Sequence, residues 1–411
     1  MTALVCLVAP SLQERPQFGG AVALRLSESV PVADPALARS ESERQIASVQ
    51  FPRLIEIDDD GRRVAGMLAR WQVSVDGLTV RLSLVDSDHG GVRDLSAGDL
   101  ATSLHNLLRV APQSPPALIL RSISDADRFI SGQVPWLPGL NVPDDKTLEI
   151  ALDHRQPLLL DALADVRASP VRTVSNRDEV LGGIGPFQLV PGNSGVLSFN
   201  IAYVNGRPFL DYVIIRQGAR LPAGLEQKDI VPLDPSKSAE SGSPSVIYPG
   251  ARCVYLLFHP AGAVKEPAGR AALLRTIDPE AMARIFFGNS GSQLTSLVPS
   301  SAVPLDLVGE IIPPATEAAT GVRTLRLAHP SGSAALRLVA ERIKVDMLVA
   351  GIDVRLVEYR GDNLPDCDLF LFDALISDHA PEYSLWCALV RHGQMLGAAV
   401  QPPQGDSLAW L

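Results

Sequence analysis

Residues 54–84 run Leu54-Ile55-Glu56-Ile57-Asp58-Asp59-Asp60-Gly61, then Met67-Leu68-Ala69-Arg70-Trp71, then an Asp76-Gly77 turn between two alternating segments. Before the turn, Trp71, Val73 and Val75 alternate with Gln72 and Ser74. After it, Leu78, Val80, Leu82 and Leu84 alternate with Thr79, Arg81 and Ser83. Successive side chains on a strand face opposite ways, so this period of two predicts a β-hairpin with one buried face. Asp-Gly accepts the positive φ that a two-residue hairpin turn demands.

Outward from the hairpin, residues 3–9 and 21–26 read as strands of a first lobe. On the other side, Ser96-Ala97-Gly98-Asp99 has the form of a capping box. Leu100, Leu104, Leu107 and Leu108 follow it at helical spacing. Residues 112–117 and 134–144 read as loops, Thr147 to Leu152 as a strand, and Pro157 to Ala164 as a helix. Strands are expected at 187–190, 196–203 and 209–216. The Ser-, Pro- and Gly-rich stretch from Pro232 to Pro249 reads as a flexible connection. Ala271 to Phe287 predicts one helix. Ser333 to Ala350 predicts another, with Leu336, Val339, Ile343 and Met347 on one face and Gly351 past its end. Strands at 352–358 and 368–372 complete an α/β pattern.

The chain has 411 residues, enough to bury about three quarters of its unfolded surface and more than one ordinary core holds, so two or three lobes are expected. With 46% hydrophobic and 20% charged residues it is neither a disordered nor a coiled-coil sequence. A net charge of -10, without a basic stripe, argues against nucleic acid or an anionic membrane as partner. No apolar run is long enough to span a bilayer, so membrane insertion is not expected. The apolar N-terminus lacks a basic region ahead of it, the first arginine being Arg15, and predicts a strand rather than a signal peptide. Cys6, Cys253, Cys367 and Cys387 stand far apart with no Cys-x-x-Cys pair, which predicts buried free thiols and no zinc knuckle.

Beyond the opening stretch, several segments recur in a known order: Leu95 to Leu104, Thr147 to Leu163, Gly185-Pro186-Phe187-Gln188-Leu189, Asn205-Gly206-Arg207-Pro208-Phe209-Leu210-Asp211, Arg270 to Gly288, Gly351-Ile352-Asp353-Val354, and Asp368-Leu369-Phe370-Leu371-Phe372. This ordered set resembles the extracytoplasmic solute-binding proteins of family 5, the oligopeptide-, dipeptide- and nickel-binding proteins of ABC transporters. The resemblance implies a multi-lobed α/β fold with mixed sheets, of the periplasmic-binding-protein type II, cluster C kind. It implies lobe I from 1–45 plus 177–262, lobe II from 46–176 and lobe III from 263–411. The sequence departs from the family in a shortened segment at Glu358 to Pro365, in Ala374 where a tryptophan is usual, and in ending 39 residues after Phe372.

The function the resemblance implies is capture of a peptide or other nitrogen-bearing solute in an interlobe cleft, for delivery to an ABC transporter permease. In peptide-binding relatives an aspartate just after the strand matching 368–372 fixes the ligand's α-ammonium, and Asp373 and Asp378 are the nearest carboxylates here. The contrasting expectation is a cytoplasmic derivative acting as a sensor or protein-partner module, with a protein partner covering the shortened third lobe. Location is accordingly either extracytoplasmic, by resemblance, or cytoplasmic, by the missing signal. The Tyr383 to Val390 segment offers another cover, its Leu385, Trp386, Leu389 and Val390 folding back onto the 368–372 strand.

No catalytic centre, cofactor or metal site is expected. Asp58-Asp59-Asp60-Gly61 would place Ala69 where a calcium loop needs its glutamate. Gly405-Asp406-Ser407-Leu408 copies a serine-hydrolase block but lies far from any first strand. Ser377-Asp378-His379 groups triad residue types as sequence neighbours, which point apart. The histidines show no i, i+4 pairing.

Overall fold

A computed structural model of the chain describes residues 18–26, 34–58, 62–85, 95–174, 177–181, 184–190, 193–201, 203, 206–217, 228–230, 251–287, 294, 322–360, 364–376 and 380–397. The strand expected at 3–9, the connection at 232–249, Asp59 to Gly61, Ser377 to His379 and Ser407 lie outside them.

The elements begin with β1 (Ala21–Leu26) and α1 (Glu41–Gln50). Ser40 caps α1: its hydroxyl accepts from the Glu43 N–H while the Glu43 carboxylate accepts from the Ser40 N–H. Short strands β2 (Ile55–Ile57) and β3 (Arg63–Ala65) pair antiparallel and lead to β4 (Leu68–Val73) and β5 (Thr79–Leu84). The hairpin is present, but its turn is longer than two residues. Ser74 N–H still bonds Thr79 O, leaving residues 75–78 as the loop. The Asp76 carboxylate closes that loop by accepting from the Leu78 N–H at 3.0 Å and from the Ser74 hydroxyl, and Gly77 supplies the positive φ of 71°.

Helix α2 (Ala97–Val110) starts on the Ser96–Asp99 capping box and buries Leu100, Leu104, Leu107 and Leu108, as the spacing predicts. Two stretches expected as loops carry structure. Pro115–Leu120 forms α3, because prolines at the first helical turn sacrifice no hydrogen bond, and α4 (Ala126–Ile130) follows. Leu140–Asp144 forms β6, an exposed edge strand beside β7 (Thr147–Ala151), which explains its polar, Pro-containing sequence. Next come α5 (Leu159–Ala164), β8 (Arg172–Val174), β9 (Arg177–Leu181), β10 (Phe187–Val190), β11 (Asn193–Phe199), β12 (Tyr212–Gln217), β13 (Lys228–Ile230) and β14 (Ala251–Phe258).

The single helix expected at 271–287 is two, α6 (Pro267–Leu274) and α7 (Pro279–Phe287). Pro279 cannot continue a helix, and the Asp278 carboxylate restarts it by accepting from the Ala281 N–H at 2.9 Å. The remaining elements are β15 (Thr324–Pro330), α8 (Ala334–Val349), β16 (Asp353–Tyr359), β17 (Leu369–Ile376) and α9 (Pro381–Met395). Ser333 caps α8, and Gly351 with φ of 82° lies just past its C-terminal end.

Two compact units result, the first from 1–52, 87–94 and 171–232, the second from 53–86, 95–170 and 233–411. In the first, a mixed sheet runs β10-β11-β12-β1-β13, with β1 parallel to β12 and β13 and β11 antiparallel to both its neighbours. Val22, Phe187, Leu197 and Val213 form its core. Gly185 passes so close to α1 that a β-carbon there would sit 2.1 Å from the Gln50 carbonyl oxygen.

The second unit holds the antiparallel sheet β4-β5-β7-β6 and the mixed sheet β14-β17-β15-β16. Within the latter, β17 is antiparallel to β14 and parallel to β15, and α8 covers one face through Leu336, Val339, Ile343 and Met347. Helix α9 covers the other, so the 383–390 segment does fold back on β17. It does so with two rows rather than one. Leu385 and Leu389 join Cys253 and Ile376, while Trp386 and Val390 turn to Leu118 and Ile119 of α3, Ala162 of α5 and Leu158 just before α5. Positions 385 and 389 lie on one helical row and 386 and 390 on the next, which lets one helix tie two substructures into one core.

Cys253 and Cys367 are buried free thiols, Cys387 is a half-buried one, and Cys6 lies outside the described residues. No described helix is long and apolar enough to cross a membrane.

Candidate functional site

Of the two carboxylates singled out in the sequence, Asp373 is on β17 and Asp378 lies outside the described residues. Alternation along β17 explains where Asp373 stands. Leu369 and Leu371 face the α8 core while Phe370 and Phe372 face α9, so Asp373 falls on the α8 side, past the end of that core. On β14, Val254, Leu256 and Phe258 pack toward the same core, which puts Arg252 on the same side of the sheet.

The two charges meet there. Arg252 Nη1 donates to Asp373 Oδ2 at 2.5 Å, with the arginine side chain 51% and the aspartate 26% exposed. A carboxylate and a guanidinium held side by side at a half-open sheet surface can accept from an ammonium and donate to a carboxylate. Arg252 escaped the sequence reading, although a signal existed: one arginine in the apolar run Ala251-Arg252-Cys253-Val254, matched by one aspartate in the apolar run of β17.

The other face of this sheet is apolar and closed. His392 of α9 packs against Phe372, the rings tilted by 35° with centroids 3.8 Å apart, and lies 5.4 Å from Phe370. Burial, then the nearby Arg391 charge, pushes its pKa down to about 3. Burial likewise raises the Tyr359 hydroxyl, with the Asp373 charge adding to the effect, and that hydroxyl donates to Leu371 O at 3.3 Å. Cys367, by the same desolvation, is pushed up to about 11, which makes it an inert thiol.

Behind α9 lies a second polar cluster. Asp165 and Arg167 form a two-pronged ion pair at 2.6 and 2.8 Å, both side chains more than nine-tenths buried. Burial alone would raise the Asp165 carboxyl, but the Arg167 charge and its hydrogen bonds outweigh that and hold it far below the usual range. Tyr383 donates its hydroxyl to the same carboxylate, and Arg167 also reaches Cys387 Sγ at 3.7 Å. Its charged atoms committed to one another, this cluster joins α9 to the turn at 166–168.

In the first unit, Arg207 lies over Phe199 and Phe18, 4.4 and 4.9 Å from the ring centroids, and pairs with Asp211 at 2.5 Å. These contacts anchor the chain entering β1 to the 206–211 loop. An open groove of about 550 Å³ over the outer face of β4, β5 and β7 has the Arg81–Glu149 pair in its lining. Among the described residues no group of histidine, cysteine, aspartate and glutamate is placed to hold a metal ion.

The family model of the bacterial extracellular solute-binding proteins, family 5 (Middle), matches residues 63–387. Among solved structures, the murein tripeptide binding protein MppA of Escherichia coli is similar with a TM-score of 0.68 at 19% identity, over 93% of this chain and 84% of that one. The periplasmic binding protein DppA of Helicobacter pylori, solved in complex with the peptide STSA, gives 0.67 at 15% identity, over 92% and 82%. NikZ of Campylobacter jejuni, in complex with Ni(L-His), gives 0.64 at 15% identity, over 86% and 77%. The α/β architecture with mixed sheets is therefore that of the periplasmic binding proteins. No curated protein matches the chain in sequence.

Proposed function

The chain belongs to the bacterial extracellular solute-binding proteins, family 5, and from that footing we propose that it captures a peptide or another nitrogen-bearing solute and delivers it to an ABC-type permease. It is a solute-binding protein of the family 5 type. On this reading it changes no covalent bond of its ligand, and capture and release are its whole cycle. The ligand's α-ammonium is held by a carboxylate at the end of lobe III, Asp373 or Asp378. On the same reading the lobes are I (1–45 and 177–262), II (46–176) and III (263–411), with β14 of the first range completing the sheet of the third.

One observation carries the reading: the family match takes in both β14 and β17, the strands that set Arg252 beside Asp373 at a half-open surface. A carboxylate in that setting accepts from an ammonium, and its guanidinium neighbour supplies donors for the carboxylate of a short zwitterionic ligand.

A thermal-shift series with di- to pentapeptides bearing free amino termini, and with a nickel–histidine complex, tests it. A ligand at 100 times its dissociation constant adds about 2.7 kcal/mol of stability and raises the melting temperature. A series in which no ligand moves the melting temperature overturns the proposal.

A further inference from the structure

His105 on α2 is enclosed by two aromatic rings, Phe129 of α4 and Trp136 of the loop at 131–139, with centroids 5.0 and 5.1 Å away. Trp136 is 65% exposed, whereas its neighbour Leu137 is buried. The Leu137 N–H donates to His105 Nε2 at 2.7 Å. A ring nitrogen that accepts carries no hydrogen, so the single hydrogen of the neutral imidazole is on Nδ1. Nδ1 is buried without a hydrogen-bond partner. A second proton can go only to Nε2, where it meets the Leu137 N–H head on.

Among the described residues, the charged groups around the ring give an imidazolium no compensation. Arg109, one turn along α2, adds a like charge. On α4, Asp127 is paired with Arg121, and Asp125 just before it with Arg128. On the strands packed against α2, Asp144 of β6 accepts from the Lys146 N–H and Glu149 of β7 binds Arg81 and Asn141. At the 166–168 turn Arg167 is committed to Asp165, at the start of α2 Asp99 is committed to Ser96, and α3 carries no charge.

We propose that the His105–Leu137 hydrogen bond is an acid-released latch: protonation of the imidazole breaks it, freeing the 131–139 loop and changing the aromatic surface that Trp136 presents. Burial and then Arg109 hold the ring's pKa below its ordinary 6.5, so the released loop binds the proton more tightly than the latched one. The latch is fully closed above pH 6.5 and weakens as pH falls below it, by at most about tenfold per pH unit.

The test follows tryptophan emission and amide hydrogen exchange of the full chain from pH 7.5 to 4.5. The expected result is an emission change that Trp136→Phe abolishes. Protection of the Leu137 amide, corrected for intrinsic exchange, should fall by up to about tenfold per unit below pH 6.5. In His105→Gln, whose side-chain oxygen accepts the same N–H and does not titrate, both readouts should be flat. An emission titration that persists in His105→Gln overturns the proposal. So does constant Leu137 protection in the unmodified chain, a measurement that decides the matter even if His105→Gln does not fold.

Discussion

Tyr383 donates its hydroxyl to Asp165 Oδ2 at 2.7 Å across 218 residues of sequence, and with Arg167 it completes an ion-pair network that is more than nine-tenths buried. Removing one member leaves a buried charge uncompensated, which costs more than the network contributes as a whole. Arg167→Met should therefore destabilise the chain by about 3–5 kcal/mol. Tyr383→Phe, which deletes one hydrogen bond to a charged acceptor, should cost about 1–3 kcal/mol. Chemical denaturation of the variants checks both, and a Tyr383→Phe loss as large as that of Arg167→Met would show that the hydroxyl matters for more than this bond.

The depressed Asp165 carboxyl makes the same network an acid-sensitive element. A folded pKa below the unfolded value of 3.8 contributes stability that is present above pH 3.8 and disappears as pH falls below it. His392 acts higher on the scale. Its folded pKa of about 3 lies below the ordinary 6.5, so stability declines as pH falls from 6.5 toward 3, by up to about 1.4 kcal/mol per unit. His392→Leu should flatten the stability curve in that window and leave the loss below pH 3.8 in place. An unchanged slope between 6.5 and 4 would show that His392 does not set it.

Trp386 is fully buried against α3 and α5, and its indole N–H bonds Pro115 O at 3.2 Å. Trp386→Ala should cost about 3–5 kcal/mol through the cavity it leaves. Increased binding of a hydrophobic dye should accompany that loss, because α9 covers one face of β17. A variant as heat-stable as the parent would mean that α9 covers nothing essential.

Gly185→Ala tests the first unit alone. The added methyl would overlap the Gln50 carbonyl, and relieving that overlap moves backbone, at a cost of about 1–3 kcal/mol. Because Gly185 is remote in sequence from α1, hydrogen exchange in residues 41–50 should report the damage directly.

How far this was visible in the sequence depended on whether a signal was local. The Ser96 cap and the Leu336-to-Met347 row follow from spacing alone and are present as expected; the hairpin at 68–84 is present too, but with a longer turn and with Val73 and Val75 exposed. Other features were hidden in composition that resembles loops. Pro115-Pro116 opens α3 because a first turn tolerates prolines, and the exposed β6 was masked by polar residues suited to an edge. Pairs such as Arg252–Asp373 and Asp165–Tyr383 join residues more than a hundred positions apart, so only strand register and helix docking could bring them together. Asp373 itself was found through resemblance, and its arginine partner through structure.

Isothermal titration calorimetry of the full chain with short peptides tests solute capture most directly. The account predicts saturable one-site binding of peptides with a free amino terminus. Acetylating that terminus, or substituting the carboxylate that holds it among Asp373→Asn and Asp378→Asn, should weaken binding at least about tenfold, or about 1.4 kcal/mol. A folded chain that binds neither these peptides nor a nickel–histidine complex at millimolar concentration would contradict it.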